Sequence, residues 1–547
     1  MTFREKVIAA FLLLTLFLAL GWWITAAYRA VTIPLPKNGG HYSEGMVGQP
    51  LYINPLISQT SQIDADLTQL IYSALFTYDT TGIPVAHLAE RYDLSEDKKT
   101  YTVFLRENIQ WHDGQPLTAD DVIFTFTLLK DPAYKSPLRH NWQGVDVAKQ
   151  DDRTVTFTLK NPYSGFIHNL TVGILPKHIW ESITSETFTL AERNLSPIGS
   201  GPYQFGDLQK DSAGNIVSYE LRASRTYFLG EPHISKMTFH FYPDEETLIA
   251  AYNKKEIMGI HNVLPRSSDA IAPERSTAFY ELHVPRYFAI FLNRSKSVPL
   301  AAREVREALS AATDRSTIVD IILKQRGSAL RSPFTSFMDG YADDRQQPDF
   351  DRERANRILD ENGWERKEDG IRQKNDVRLS FTITTADWPE LTDTAALLKE
   401  QWQEIGAAVE IQALSITDLQ QNEIRPREYD ALLFGQVTHF FPDPYFFWHS
   451  SQKLDPGLNL AVLNHKDVDA TLDQLRLEHD QERRRALYGD FQKFLAEDVP
   501  AIFLYSPSYV YVMTTKVKGV TLNNINAPQY RFAHVHEWYL KTRRVMK

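Results

Sequence analysis

The stretch LSFTITTADWPELTDTAALLKEQWQEIGAAVEIQ, residues 379–412, decides the fold class. Leu379 to Thr385 is dense in β-branched residues and reads as a strand. Ala395, Leu398, Trp402 and Ile405 then recur at helical spacing, which puts an apolar stripe on a helix that Gly406 stops. Ala408 to Gln412 is a second strand. Strand, helix, strand implies a parallel pair joined by a right-handed crossover, so the chain is α/β.

The sequence continues in the same mixed style upstream of this unit. Val305, Ala308, Leu309 and Ala312 share one helical face, and Asp314 is a candidate cap for a following helix that carries Ile318, Val319 and Ile322. Asn362-Gly363 closes another helix, since glycine can take the left-handed backbone that stops it. Tyr287 to Leu292 (YFAIFL) is a continuous apolar run, predicted as a buried strand crossing between domains. Nearer the N-terminus, Tyr101 to Leu105 and Arg153 to Leu159 read as strands, and Pro162 ends the second. Between them Asp113-Gly114 makes a turn, and Thr118 with Asp121 is spaced as a capping box for the helix ADDVIFTFTLL. The mixed-charge stretch 352–378 and the triplet Arg483, Arg484, Arg485 read as solvated helix faces.

Composition narrows the function. Of 547 residues, 43% are hydrophobic and 23% charged, which suits large folded cores. At about 150 residues per domain, length alone would suggest three or four units. A net charge of −10 without a Lys/Arg stripe argues against a nucleic-acid partner. The chain has no cysteine, which excludes disulfides, thiolate metal sites, iron–sulfur clusters, a cysteine nucleophile and a lipidated cysteine. No G-x-S-x-G elbow, phosphate-binding loop or H-E-x-x-H helix occurs, and Gly199-Ser200-Gly201 runs straight into Pro202, which suits a rigid turn. The reading is therefore of a non-enzyme, with no catalytic residue, metal site or cofactor assigned.

Val7 to Tyr28 (VIAAFLLLTLFLALGWWITAAY) is uncharged and long enough to cross a bilayer core. Arg4 and Lys6 precede it, and Trp22, Trp23 and Tyr28 sit at its far end, which places the N-terminus in the cytoplasm and the rest of the chain outside. Residues 1–30 are read as an uncleaved anchor and 31–38 as a linker; a cleaved signal peptide, with Thr25 and Ala27 as a poor cleavage pair, is the competing reading.

Several ordered stretches carry a resemblance. They are LAERYDLSEDKKTYTVFLRENIQWHDGQPLTADDVIFTF (88–126), GSGPYQF from Gly199, LAAREVREALSAATDRSTIV, ANRILDENGW, QWQEIGAAVEIQ, FFPDPYFFWHS and FQKFLAEDVPAIFLY. Together they resemble the bacterial family 5 extracellular solute-binding proteins, the oligopeptide, dipeptide and nickel-binding receptors of ABC importers, over nearly everything from Tyr42 onward. The resemblance implies a bilobed periplasmic-binding-protein-like fold, preceded here by the transmembrane helix. Lobe one would span 39–290, with an inserted accessory subdomain at about 75–185; lobe two would span 291–505, and 506–547 would return to lobe one. It further implies a monomeric extracytoplasmic receptor that closes on a peptide and delivers it to permease subunits with their ATPase. A nickel or metallophore receptor, suggested by His439 and His449, and a non-transport sensory or chaperone-like protein are the alternatives.

The same resemblance points to QVTHFFPDPYFFW, residues 436–448, for ligand contacts. Asp443, in Asp443-Pro444, resembles an aspartate that pairs with a peptide α-ammonium in peptide-binding members. Gln436, His439, Phe440, Phe441, Tyr445 and Trp448 are expected beside it. Asn54, in the first-strand region, and Trp388, in a lobe-two loop, complete the expected set. Asp113-Gly114 and Thr118 are read as structural.

Overall fold

Ser380–Ala386 and Ala408–Leu414 run parallel with Phe381 beside Val409, and the helix Pro389–Gln403 between them buries Leu391, Ala395, Leu398 and Trp402. Gly406 turns the chain out of that helix at φ +86°, where a side chain would be strained. The predicted strand–helix–strand unit is thus present in the computed structural model, which describes residues 2–338, 340–439, 441–522 and 524–546.

The unit forms one edge of a six-stranded sheet in the order Gly327–Ala329, Ala501–Pro507, Arg286–Leu292, Ala431–Val437, Ser380–Ala386, Ala408–Leu414. A seven-stranded sheet, ordered Thr277–Leu282, Tyr509–Thr514, Gly259–Ile260, His41–Val47, Lys236–Tyr242, Ile216–Ala223, Tyr203–Lys210, builds the other lobe. Each sheet has its own buried core. The run at 287–292 is a buried strand as predicted. The chain passes between the lobes just before it, through 283–285, and again at Ser508 between Pro507 and Tyr509. A four-stranded antiparallel sheet, Ala89–Leu94, Thr100–Leu105, Thr154–Leu159 and Val145–Asp151, packs against the seven-stranded lobe.

Local signals were faithful to their physics. Thr118 and Asp121 form both halves of the capping box on Ala119–Lys130, and the Asp314 side chain accepts the Thr317 N–H. His112 folds back on the glycine turn: Gly199 N–H donates to its Nδ1 at 3.2 Å and its Nε2 lies 3.0 Å from the Gly201 carbonyl oxygen. A Cβ on Gly199 would sit 1.9 Å from the Ile71 carbonyl oxygen, so this close approach admits only glycine.

The N-terminal helix Phe3–Val31 contains a 22-residue window, Ala10–Val31, long and apolar enough to cross a membrane or to serve as a signal sequence, and none of that window is buried. The next residues depart from the expected linker. Thr32–Lys37 is a strand, paired antiparallel in full register with the last strand, Lys541–Met546. Pro34 and Pro36 have the same parity, so both can occupy positions where no N–H is owed to the partner.

In the core of the seven-stranded lobe, Arg531 is fully buried and reaches Glu44 at 2.8 Å and Asp66 at 2.6 Å. Removing one partner of such a group strands uncompensated charge, so Arg531→Met is expected to cost about 3–5 kcal/mol in denaturant unfolding. Burial lowers the pKa of His87 and of His112 to about 4. Unfolded, each would titrate near 6.5, so between about pH 6.5 and 4 the unfolded chain binds more protons and stability is lost as pH falls. Thermal melts at pH 5 should show a loss on the order of 2 kcal/mol per histidine relative to pH 7.

Candidate functional site

Between the lobes lies a cavity of about 1050 Å³. One wall comes from the helix Gln62–Ile71, the segment 159–173 after the four-stranded sheet, and the C-terminal segment at Tyr530; the other comes from the residues after strand Ala431–Val437 and the end of helix Lys466–Leu477. Both walls are rich in rings. Tyr78 meets Tyr530 edge-on at 4.8 Å, and His168 stacks on Phe441 across the cleft at 5.1 Å and 27°.

Asp443 stands in this wall. Its Oδ1 accepts the Tyr445 N–H at 3.2 Å, and its Oδ2 lies 3.1 Å from Arg476 Nε. Burial raises the pKa of Asp443, and the Arg476 charge opposes that rise. Arg476 is in the last turn of its helix, where carbonyl dipoles favour a cation. Its guanidinium lies 4.5 Å from the Tyr445 ring centre, 4.9 Å from that of Tyr163 and 5.2 Å from that of Phe446. Tyr163 belongs to the opposite wall, and burial with the neighbouring Asp443 pushes its pKa well up. Next to it, the Ser164 N–H donates to the Arg476 carbonyl at 3.0 Å, a hydrogen bond from lobe to lobe.

Two histidines face each other here. His168 and His439 have ring centres 6.5 Å apart, and His168 Nδ1 lies 3.2 Å from the Tyr78 hydroxyl. Burial lowers the pKa of His439, and burial first, with repulsion of a charged His168 by His439 and Arg484, lowers that of His168 to about 3, so His168 is neutral at pH 7. Among the described residues no group of three or more His, Cys, Asp or Glu is placed to hold a metal ion. His449 turns away, stacked on Tyr445 at 4.2 Å and bonded to Ser451 at 2.8 Å.

The structure brings His439, Phe441, Asp443 and Tyr445 to the cavity wall. Phe440 lies outside the described residues. The other four expected residues stand elsewhere. Gln436 is buried in its strand, accepting from the Tyr287 hydroxyl and donating to the Leu458 carbonyl at 3.0 Å. Trp448 is 1% exposed and packs among Phe291, Phe491 and Phe503 in the core of the six-stranded lobe. Asn54 is buried, with its amide on Asn194 at 3.1 Å and its oxygen accepting from Leu56 N–H at 3.0 Å, so it ties a turn. Trp388 is exposed before the helix Pro389–Gln403 and away from the cavity. Sequence reading missed Tyr163, His168 and Arg476. Only the helix-terminal position of Arg476 offered a signal, and it did not say which carboxylate the residue would meet.

Residues 84–456 match the family model described as bacterial extracellular solute-binding proteins, family 5 Middle. The oligopeptide-binding protein AppA of Bacillus subtilis is 28% identical over 514 residues, covering 92% of each chain. Its structure in complex with a nonapeptide matches 93% of this chain and 100% of that one, with a TM-score of 0.73. The dipeptide-binding protein of Escherichia coli is 26% identical, covering 87% of this chain and 91% of its own. The nickel-binding periplasmic protein of the same organism is 25% identical, covering 86% and 89%.

The division between core and cleft can be measured. Trp448→Ala should lower unfolding stability by about 3–5 kcal/mol, read from denaturant melts. Phe441→Ala, whose ring stands at the cavity, should cost clearly less; equal losses would place Phe441 in the core.

Proposed function

The chain belongs to the bacterial extracellular solute-binding proteins of family 5, and on that premise we propose that it is the extracytoplasmic receptor of an ABC importer, capturing peptides between its lobes and handing them to a permease. The observation that carries this reading is the cavity of about 1050 Å³ between the lobes, with the Asp443 carboxylate set among aromatic rings. The names of the oligopeptide- and dipeptide-binding relatives favour a peptide as ligand.

In this proposal lobe one comprises 39–282 and 509–547, with the accessory subdomain at 75–185, and lobe two comprises 286–507; the expected limits at 290 and 505 move because the strands Arg286–Leu292 and Ala501–Pro507 both pair within the six-stranded sheet. The two crossings, at 283–285 and at Ser508, are the hinge. Capture closes the lobes, and the closed form docks on the permease. The N-terminal helix stays as an uncleaved single-pass anchor, leaving the body outside the cytoplasm.

Asp443 receives the ligand's α-ammonium. A charge-assisted hydrogen bond in a site walled by rings is stronger than one in water, and an ammonium would share the carboxylate with Arg476. The peptide backbone would bind through main-chain groups, which permits loose side-chain selection. A second reading, a nickel complex or metallophore, draws on His168 and His439 facing each other from opposite walls and on the nickel-binding relative.

Titration calorimetry and thermal shift with a short-peptide mixture and with nickel–histidine complexes separate the two. Peptides should give heat and a raised midpoint; a response to the nickel complex alone would overturn the peptide reading, and no response to either would overturn the receptor reading. Asp443→Asn, checked by its own melt, should weaken peptide binding at least about tenfold, or ~1.4 kcal/mol. Unchanged affinity would remove Asp443 from the ligand's ammonium.

A further inference from the structure

The two-stranded ribbon at the foot of the molecule is not accounted for by ligand capture. Thr32 follows directly on Val31, the last residue of the apolar helix, so the helix enters the ribbon without slack. Arg544 fastens the junction. Its Nε donates to Thr32 Oγ1 at 2.8 Å, a terminal nitrogen donates to the Thr32 carbonyl at 2.8 Å and the Arg29 carbonyl at 3.2 Å, and the guanidinium lies 5.7 Å from the Tyr28 ring centre.

Charge is concentrated here against the trend of the chain. Segments 29–37 and 541–547 contain Arg29, Lys37, Lys541, Arg543, Arg544 and Lys547 and no acidic residue, in a chain whose net charge is −10. The register sorts the side chains into two faces. Ile33 pairs with Val545, Leu35 with Arg543 and Lys37 with Lys541, so these six share one face. Near the helix that face is apolar, with Ile33 at 41% and Leu35 at 37% exposed, and farther along it is cationic. An apolar strip continued by cations, joined directly to a helix of membrane-spanning length, has the composition of a surface that lies in a lipid interface.

We propose that this face of the ribbon lies on the outer surface of the bilayer and binds anionic phospholipid headgroups through Lys37, Lys541 and Arg543, with Ile33, Leu35 and Val545 at the acyl boundary. The proposal rests on the anchored reading above. The ribbon then holds lobe one against the membrane, with Arg544 as the clasp that fixes its angle to the helix.

The absence of cysteine makes the test direct. The full-length chain carrying Leu35→Cys is placed in nanodiscs of phosphatidylcholine alone or with phosphatidylglycerol, and its reaction with a water-soluble thiol reagent is timed. Anionic lipid should slow the reaction about fivefold or more, and Lys541→Glu with Arg543→Glu should remove the difference. Equal rates in the two lipids with the unaltered basic residues would overturn the proposal. Should the double variant melt early, 0.5 M salt on the unaltered ribbon serves instead, since screening (Debye length about 4 Å) should abolish the difference and its persistence would refute headgroup binding. N-terminal sequencing of protein taken from membranes separates the two failures. A start near Tyr28 overturns the anchor and this inference with it, whereas an intact start with lipid-independent rates overturns the headgroup contact alone.

Discussion

One guanidinium, that of Arg531, joins parts of lobe one that lie more than 460 positions apart in sequence. It is 0% exposed and donates to Asp66 at 2.7 and 2.6 Å and to Glu44 at 2.8 Å. Two carboxylates and one cation in a core are tolerable only if their remaining lone pairs are filled. Here the second Glu44 oxygen accepts the hydroxyls of Tyr42 and Tyr511, and Gln62 donates to Asp66 at 2.7 Å. Burial works against the charge on Arg531, but Asp66 and the neighbouring Tyr509 and Glu44 hold its pKa well above the ordinary value. The joint fixes a central strand, a cleft-lining helix and the C-terminal segment at once. Tyr530, next in sequence, is thereby held against Tyr78 in the cavity wall, and the chain beyond runs through Trp538, packed on Tyr42 at 6.2 Å, to the closing strand.

What the sequence made legible is what depends on near neighbours. The capping box at Thr118, the Asp314 cap, the stops at Gly363 and Gly406 and the strand–helix–strand unit all follow from residues within a few turns of one another. Arg531 was invisible because its partners lie 465 and 487 positions away. Pairing of Thr32–Lys37 with the far end of the chain was hidden for the same reason, and its prolines argued for a linker instead. In the cleft, residue type was informative and direction was not. QVTHFFPDPYFFW supplies cleft residues, yet Gln436 and Trp448 turn into the sheet and core that carry them, Tyr163 comes from a turn after the strand Thr154–Leu159 and Arg476 from a charged helix end, neither near Asp443 in sequence.

The cleft's electrostatics follow from that convergence. Asp443 has an immediate cation in Arg476, so the wall is close to neutral before any ligand arrives, and the rings of Tyr163, Tyr445 and Phe446 around the guanidinium limit water on both. Arg476 also presents its carbonyl to Ser164, so one residue carries both the charge that compensates Asp443 and a contact from lobe to lobe. The same helix end thus supplies the partner of Asp443 and a contact with the other lobe.

The chain passes between the lobes at two short crossings. One is the three residues 283–285, held where Thr438 N–H donates to the Pro285 carbonyl at 2.7 Å; the other is Ser508, whose N–H donates to the Arg326 carbonyl at 3.1 Å. Links this short leave rotation as the main freedom between lobes. The N-terminal helix and its ribbon belong to the seven-stranded lobe, through Gly39 N–H to the His233 carbonyl at 2.8 Å and Lys518 N–H to the Tyr539 carbonyl at 2.8 Å. Lobe two, which carries Asp443 and Arg476, is joined to that lobe covalently at the crossings and non-covalently by contacts such as Ser164 with Arg476 and the ion pairs Lys324–Asp269 at 2.6 Å and Arg326–Glu281 at 2.5 Å. If the lobes close and the helix stays as an anchor, as proposed above, closure would swing the charged wall toward a lobe already held at the membrane, and the ribbon rather than the hinge would set the orientation of the closed cleft.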